Sequence, residues 1–235
     1  METKRLKYMT ISELEKLPRQ EWLIKDVIST RSISLLQGRS KSFLSYAAVD
    51  IARHIGVGLE WHGHHIKEKK PVWYFIRNQG QDVQRYNYTW KRRHPEVTKE
   101  MDDNRNVTYI SAYSPNPCLH DLTQEGLVKQ VIDMQGWDIP KPALIVFDSL
   151  ADFSPYDFLT SSLADTLVQT FETLIESYNC GILLTKSSGS FEDESYSGHE
   201  YLFNAVDTVF KCKQKDRSLI CEKQREAPQT PTVFI

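Results

Sequence analysis

The spacing of apolar residues along the chain predicts strands and helices in alternation. Short apolar runs, each closed by a glycine or a polar residue, predict strands over residues 32–37, 69–78, 106–112, 142–150 and 180–188. Between these runs, apolar residues recur every three or four positions, which predicts helices over residues 42–56, 81–94, 123–137 and 160–179. A short helix over residues 11–17 comes before the first strand.

The last part of the chain follows a different pattern. Two alternating runs, residues 205–214 and 217–226, flank Lys215-Asp216 and predict an antiparallel hairpin. Strands that alternate with helices favour a mainly parallel sheet with helices on both faces. The layout is similar to that of a RecA-like P-loop NTPase core. We therefore expect a single α/β domain of this type over residues 21–235, after a lead-in over residues 1–20.

Composition narrows the range of partners and compartments. The chain has 235 residues, of which 40% are hydrophobic and 26% charged, and its net charge is −2. No overall field therefore attracts it to nucleic acid or to an anionic membrane, so such contacts depend on local patches. The four cysteines are far apart and form no C-x-x-C pair, which is typical of reduced thiols. We expect a cytoplasmic protein without a membrane contact.

A glycine and a Lys-Ser pair follow the first predicted strand and imitate a phosphate-binding loop. The motif G-x-x-x-x-G-K-[ST] needs its length, because the backbone amides of the loop enclose the phosphates. With Lys41-Ser42 as the motif's pair, the gap from Gly38 to the lysine is three residues too short, and no second glycine precedes the lysine, so the loop cannot enclose the phosphates in the usual way. It would then bind a nucleotide weakly or merely cap the helix with a serine. The candidate nucleotide-binding residues are Gly38, Arg39, Ser40, Lys41 and Ser42.

Several stretches, taken in order, resemble the RepA family of hexameric RecA-fold helicases and ATPases of plasmids and phages. The resemblance covers about residues 20 to 235. It rests on "EWLIKDVI", "LLQG…KSFLSYAAVDIA", "GVGLEWHGHHIKEKKPVWYF", "PALIVFDSLADF", "GHEYLFNAVDTVF" and "CEKQREAP". The family's fold, its ring assembly and its reaction with ATP become expectations that the residues of this chain must meet.

The resemblance implies roles for particular residues at the ends of the strands. Asp148 matches the Walker B aspartate, which would hold Mg²⁺ together with Ser42 if a nucleotide binds. Asn78 stands where the family has a catalytic glutamate, and an amide can orient water but cannot take its proton. Without a nucleotide, Asp148 could simply cap the turn that follows its strand.

Other positions of the family's catalytic set have also changed. Lys186 and Ser187 replace sensor histidines, and Ser197 and Phe203 replace the arginines that reach the neighbouring subunit's phosphate. Two basic residues near the end of the chain, Lys223 and Arg225, match retained positions. They could contact a phosphate, or they could protect an edge strand from aggregation.

Basic and aromatic residues are interleaved in the third predicted helix. This mixture suits single-stranded nucleic acid, through phosphate contacts and base stacking. The alternative is an amphipathic helix whose Tyr86 and Trp90 share one face and pack on the sheet. The candidate residues are Arg85, Trp90, Lys91, Arg92 and Arg93. The histidines of "WHGHH" lack a nearby cysteine or aspartate, so we expect no metal site there.

These losses predict a degenerate ATPase of phage or plasmid replication or recombination that acts by binding. Its partners would be further copies of itself, an active relative, or single-stranded DNA, and no cofactor is expected. One alternative is an active but atypical helicase-like ATPase that uses Lys41, Ser42 and Asp148 with ATP and Mg²⁺. Another is a standalone nucleic-acid-binding module.

Overall fold

The structure is a computed structural model that describes residues 8–17, 20–39, 43–76, 80–97, 106–111, 136, 138–150, 161–188 and 197–235. The strands are β1 (Trp22–Ile24), β2 (Ile28–Ser29), β3 (Ile33–Arg39), β4 (Val72–Ile76), β5 (Val107–Ser111), β6 (Leu144–Asp148), β7 (Gly181–Ser188), β8 (Thr208–Lys213), β9 (Ser218–Gln224) and β10 (Val233–Phe234). The helices are α1 (Ile11–Leu14), α2 (Leu44–Val57), α3 (Gln81–Arg93), α4 (Ser161–Tyr178) and α5 (Ser197–Ala205).

Within the described residues, one sheet of eight strands has the order β10-β9-β8-β3-β7-β6-β4-β5. All pairs from β8 to β5 are parallel. At the other side β9 is antiparallel to β8, and β10 is antiparallel to β9. The predicted α/β class, the mainly parallel sheet and the C-terminal antiparallel hairpin are therefore confirmed. β1 and β2 form a separate small hairpin.

The two faces of the sheet bury two separate hydrophobic clusters. Successive side chains of a strand point to opposite faces. Tyr74 of β4 packs with α2 on one face, whereas Trp73 and Phe75 pack with α4 on the other. By the same alternation Asp148 of β6 and Thr185 of β7 lie on the α2 face, because Val146 and Leu183 pack there.

Both ends of α2 are set by residues in the left-handed backbone region. Phe43, directly before the helix, has φ +49°. Gly58, directly after it, has φ +74°, and a Cβ at Gly58 would lie 2.8 Å from the backbone nitrogen of Lys69. Glycine is the residue that adopts this conformation without steric cost, so the position of Gly58 fixes where α2 ends.

The structure differs from the sequence-based expectations at a few elements. Helix α2 begins at Leu44, two residues later than predicted, and α5 was not predicted. The small β1–β2 hairpin and strand β10 were also not predicted. The helix predicted over residues 123–137 lies outside the described residues apart from Gly136.

Two further observations concern the described part of the chain. Cys180, Cys212 and Cys221 are buried and form no disulfide. Burial raises the pKa of the Cys180 and Cys212 thiols to about 12. None of the described helices is long and apolar enough to cross a membrane.

Candidate functional site

A buried carboxylate lies at the carboxyl edge of the parallel strands. Asp148 ends β6, and its side chain accepts hydrogen bonds from the hydroxyls of Ser45, Thr185 and Tyr74. Ser45 Oγ lies 3.0 Å and Thr185 Oγ1 2.7 Å from Oδ1, and Tyr74 Oη lies 2.7 Å from Oδ2. One carboxylate therefore joins the first turn of α2 to β4, β6 and β7.

These hydroxyls hold the carboxylate in one orientation. Burial raises the pKa of Tyr74 well above its usual range, and the charge of Asp148 and the hydrogen bond to it raise it further. The phenol therefore stays protonated and donates at any ordinary pH. A serine hydroxyl that donates its proton to a carboxylate keeps its lone pairs. Ser45 and Asp148 together thus present the oxygen ligands that Mg²⁺ prefers.

The start of α2 fixes the register of the turn that follows β3. Ser45 comes seven residues after Gly38, and the motif G-x-x-x-x-G-K-[ST] separates its first glycine from its hydroxyl residue by the same distance. In this register the loop has full length. Phe43 occupies the position of the second glycine and Leu44 that of the lysine.

This register differs from the one expected from the sequence, in which Lys41-Ser42 was the motif's pair. The structure shows Ser45, inside the first turn of α2, as the hydroxyl that contacts Asp148. The departure from the motif is therefore a change of residue type at the glycine and the lysine.

Several predicted site residues lie outside the described residues. These are Ser40, Lys41, Ser42 and Asn78, so their roles stay predictions. Gly38 and Arg39 are the last residues of β3, where Gly38 is buried and Arg39 is exposed. The structure thus brings Asp148 and the start of α2 together.

Lys186 lies near the same edge but on the other face of the sheet. It follows Thr185 in β7 and pairs in register with Gln37 of β3. Because side chains alternate along a strand, Lys186 points away from the face that carries Asp148. Burial lowers the pKa of Lys186 to about 8. Its ammonium therefore does not join the carboxylate and hydroxyls of the α2 face.

Lys223 of β9 and Arg225, directly after the strand, stabilise the end of α5. Lys223 Nζ donates to the backbone oxygens of Phe203, Asn204 and Val206, at 2.7, 2.8 and 2.6 Å. An ammonium has three hydrogens, so these contacts use its donor capacity. Such contacts satisfy carbonyls that a helix leaves unpaired at its end.

Arg225 supports the same region through an acidic neighbour. Its Nη1 lies 3.2 Å from Asp207 Oδ1, and Nη2 donates to the backbone oxygen of Asn204. Asp207 Oδ2 in turn accepts from the backbone nitrogen of Ile33, at 2.9 Å. In this structure the C-terminal basic residues are engaged in holding α5 and β3 together.

The arginines of α3 are exposed to solvent, whereas its tryptophan is buried. Arg85, Arg92 and Arg93 are exposed, whereas the side chain of Trp90 is only 1% exposed. Trp90 stacks on His94 with ring centroids 4.1 Å apart and meets His54 edge-on. Trp90 is therefore a packing residue and is not available to stack on a base. The predicted contact of the basic residues with nucleic acid stays a prediction.

A second buried carboxylate holds the loop after α2. Asp50, 4% exposed, accepts from Trp61 Nε1 at 2.8 Å, and His62 Nε2 lies 3.1 Å from the same oxygen. His54 Nε2 lies 3.4 Å from the other oxygen. Burial opposes ionisation of Asp50, but hydrogen bonds from His54 and His62 outweigh it and hold the pKa of Asp50 below its usual range. Among the described residues, no group of three or more His, Cys, Asp or Glu is placed to hold a metal ion.

Sequence reasoning missed the partners of Asp148. Ser45 could have been found by counting seven residues from Gly38, had the Lys-Ser pair not offered a nearer match. Tyr74 and Thr185 lie inside strands, at positions that an apolar pattern fills with any β-forming residue. Their convergence depends on the order of β4, β6 and β7 in the sheet.

Comparison with known protein families gives a match over most of the chain. The model of a family described as AAA domain matches residues 2–189, about four-fifths of the chain. The match includes β3, α2 and β6, which carry the carboxylate and its serine. No curated protein matches the chain.

Proposed function

The chain belongs to the AAA domain family, and from this membership we propose that it is a P-loop ATPase-like protein that works by binding, not by efficient ATP hydrolysis. We place it in phage or plasmid DNA replication or recombination, because of its resemblance to the RepA family. Its binding partners would be further copies of itself, an active relative, or single-stranded DNA.

One observation carries this proposal: relative to the P-loop motif, the chain keeps the residues that bind the metal ion and has replaced those that bind the phosphates. The retained half is the hydrogen bond between Ser45 and Asp148, the pair that holds Mg²⁺ in P-loop proteins. The replaced half is the phosphate cradle. Leu44 carries no charge where the motif lysine would reach the β- and γ-phosphates, and Phe43 has a bulky side chain where glycine permits close approach. The residues thus fit the metal ion and do not fit the triphosphate.

The replaced arginine position in α5 also supports weak or absent ATP hydrolysis. Phe203 stands at a position where the RepA family has an arginine. Its ring is partly buried against the hydrophobic cluster on the α4 face of the sheet, and Lys223 Nζ lies 5.5 Å from the ring centre. An apolar ring cannot stabilise the charge of a transition state. Arginines in that role contribute about 10³–10⁵ to the rate in related enzymes.

Calorimetric titration with ATP and Mg²⁺ tests the proposal. We expect no saturable binding to the parent protein at millimolar ATP. Replacing Phe43→Gly and Leu44→Lys together restores the motif in the register of the structure, and we expect it to produce measurable binding. Adding Asp148→Asn to this restored variant should weaken the Mg²⁺ dependence. Micromolar, Mg²⁺-dependent binding to the parent would overturn the proposal.

An atypical ATPase is the second candidate, and one observation favours it. Ser45 and Asp148 are already in contact, so the metal half of the site is formed without a ligand. Lys41 lies inside the loop, three residues after Gly38, and could replace the lysine missing from the helix. This candidate requires ATP hydrolysis by the parent protein that is lost in Lys41→Ala and retained in the exposed-site control Lys213→Ala.

Self-assembly is tested separately. If the protein acts by forming rings, light scattering coupled to size exclusion should show an oligomer at micromolar protein concentration. Mixing with an active relative should then give hetero-oligomers that elute together. A monomer over the whole concentration range would remove self-assembly from the proposal and leave single-stranded DNA or a different partner.

A further inference from the structure

Helix α3 has one face in the core and one in solvent. Val83 and Trp90, seven residues apart, are buried at 8% and 1% exposure. Arg85, Tyr88 and Arg92 follow each other at intervals of three and four residues and are all exposed. Residues with this spacing lie next to each other on one side of a helix. We call this stripe of Arg85, Tyr88 and Arg92 the outer face of α3.

An aromatic side chain in solvent is unusual at the centre of a charged face. Tyr88 is 63% exposed. Among the described residues, the other large apolar side chains exposed to this extent or more are Tyr8, Ile11 and Phe234, which lie near the two ends of the chain. The ring of Tyr88 therefore stands in solvent with a guanidinium on each side along the helix.

The helix is strongly basic in a chain that is slightly acidic. Residues 81–94 contain four arginines and lysines against one aspartate, whereas the whole chain has a net charge of −2. Asp82 pairs with Arg85 at 2.6 Å, and both side chains are largely exposed. Arg93 donates to the hydroxyl of Tyr46 at 2.6 Å and lies over its ring. In the described part of the chain, Arg92 forms no ion pair.

We propose that the outer face of α3 binds single-stranded nucleic acid. A tyrosine ring in solvent can stack on an unpaired base, and guanidinium groups before and after it can contact the flanking phosphates. A duplex would offer its phosphates but not a free base face, so Tyr88 would contribute nothing to duplex binding. An acidic peptide would match the charge of this face, but an unpaired strand offers a base beside every phosphate for Tyr88 to stack on.

The outer face of α3 would be the place at which the protein binds single-stranded DNA. This inference rests on the proposed function only for the role in replication or recombination. The proposed strand-binding surface lies on α3, whereas the nucleotide site consists of the start of α2 and Asp148. Failure of one therefore leaves the other in place, and the two sets of experiments use different residues.

Fluorescence anisotropy with a labelled single-stranded oligonucleotide of mixed sequence tests the aromatic contact. Tyr88→Ala should weaken binding by about 5- to 150-fold, as expected for one lost base stack. Tyr88→Phe should bind like the parent, since it keeps the ring. Phe234→Ala removes an equally exposed ring at the far edge of the sheet and should have no effect. The thermal transition of Tyr88→Ala should match the parent, because the ring is in solvent.

The same assay at several salt concentrations tests the two arginines. The double variant Arg85→Ala/Arg92→Ala should weaken binding and lower the slope of log affinity against log salt by about 1 to 2. Lys213→Ala/Lys215→Ala, in the β8–β9 hairpin, should leave the slope unchanged. The proposal is overturned if the parent does not bind at low salt, or if it prefers the duplex form of the same sequence. It is equally overturned if Tyr88→Ala binds the oligonucleotide as well as the parent does. That result would be expected if the face binds an acidic protein and not a nucleic acid.

Discussion

The buried carboxylate of Asp50 can be tested by the replacement Asp50→Asn, which removes a negative charge and almost no volume. The amide oxygen of the new side chain would still accept from Trp61, but the charge-assisted contacts to His54 and His62 would be lost. Hydrogen bonds to charged groups contribute about 1.5–3 kcal/mol each, and breaking a buried pair costs about 3–5 kcal/mol. Because one acceptor is kept, we expect a loss of about 2–4 kcal/mol in the free energy of unfolding.

Urea unfolding followed by circular dichroism at pH 7 measures this loss directly. For a chain of this size, about 3 kcal/mol corresponds to a lower melting temperature of roughly 6–12 °C. The control is Asp82→Asn, which removes a carboxylate with an ion pair of 2.6 Å on the surface. Exposed pairs contribute about 1 kcal/mol at most, so the control should stay close to the parent.

The pH dependence gives the same reasoning an independent check. The pKa of Asp50 is lower in the folded protein than the value of about 3.9 for an unfolded chain. Its contribution is therefore fully present above about pH 4 and is lost as the pH falls below that value. The part of the difference between parent and Asp50→Asn that comes from the carboxylate should therefore shrink as the pH falls below about 4. Equal stability of the two proteins at pH 7, or a difference that persists unchanged at pH 2.5, would refute it.

Three other replacements probe the described contacts. Tyr74→Phe removes one donor to Asp148 and should cost about 1–3 kcal/mol in urea unfolding; an unchanged midpoint would contradict the role of the phenol. Lys223→Met leaves carbonyls at the end of α5 without their donor. We expect a loss of about 2 kcal/mol, which corresponds to a melting temperature lower by roughly 4–8 °C. A shift below about 1 °C would show that Lys223 contributes little to stability. Lys186→Met should stabilise the protein at pH 7, because burial of the charged form is unfavourable and lowers the pKa of Lys186 to about 8. That gain should shrink as the pH rises from 8 towards about 10.4, and a gain that is independent of pH would argue against this cause.

The order of strands and helices could be predicted because the signal is local. Strands β3, β4 and β6 are short apolar runs, and helices α2 and α4 repeat their apolar residues at helical spacing. Helix α5 escaped prediction because Tyr201, Leu202 and Phe203 are consecutive and show no such spacing. Beside them lies a polar, acidic stretch that is typical of a loop.

The candidate site could be predicted only in part, for a different physical reason. Asp148 is visible in the sequence because an apolar strand ends in a carboxylate. The sequence does not decide which serine contacts Asp148. Ser42 follows a lysine, as in the motif, whereas Ser45 has the motif's distance from Gly38. The backbone of Phe43, at φ +49°, decides the matter by placing the first turn of α2 at Leu44. Such a conformation cannot be read from residue types, because phenylalanine rarely adopts it.

The position of β3 in the sheet has a consequence for how the protein is made. Register pairs Ile33 with Ile182 of β7 and Ser34 with Thr208 of β8, so both neighbours of this strand follow it by roughly 150 residues or more. At a synthesis rate of about 5–20 residues per second, roughly 7–30 s pass between the synthesis of β3 and that of its first neighbour. During that time Ile33, Leu35 and Leu36 have no strand to pair with. The sheet therefore assembles around its centre only late in translation, and a nascent chain that stalls before residue 208 leaves β3 with an open side.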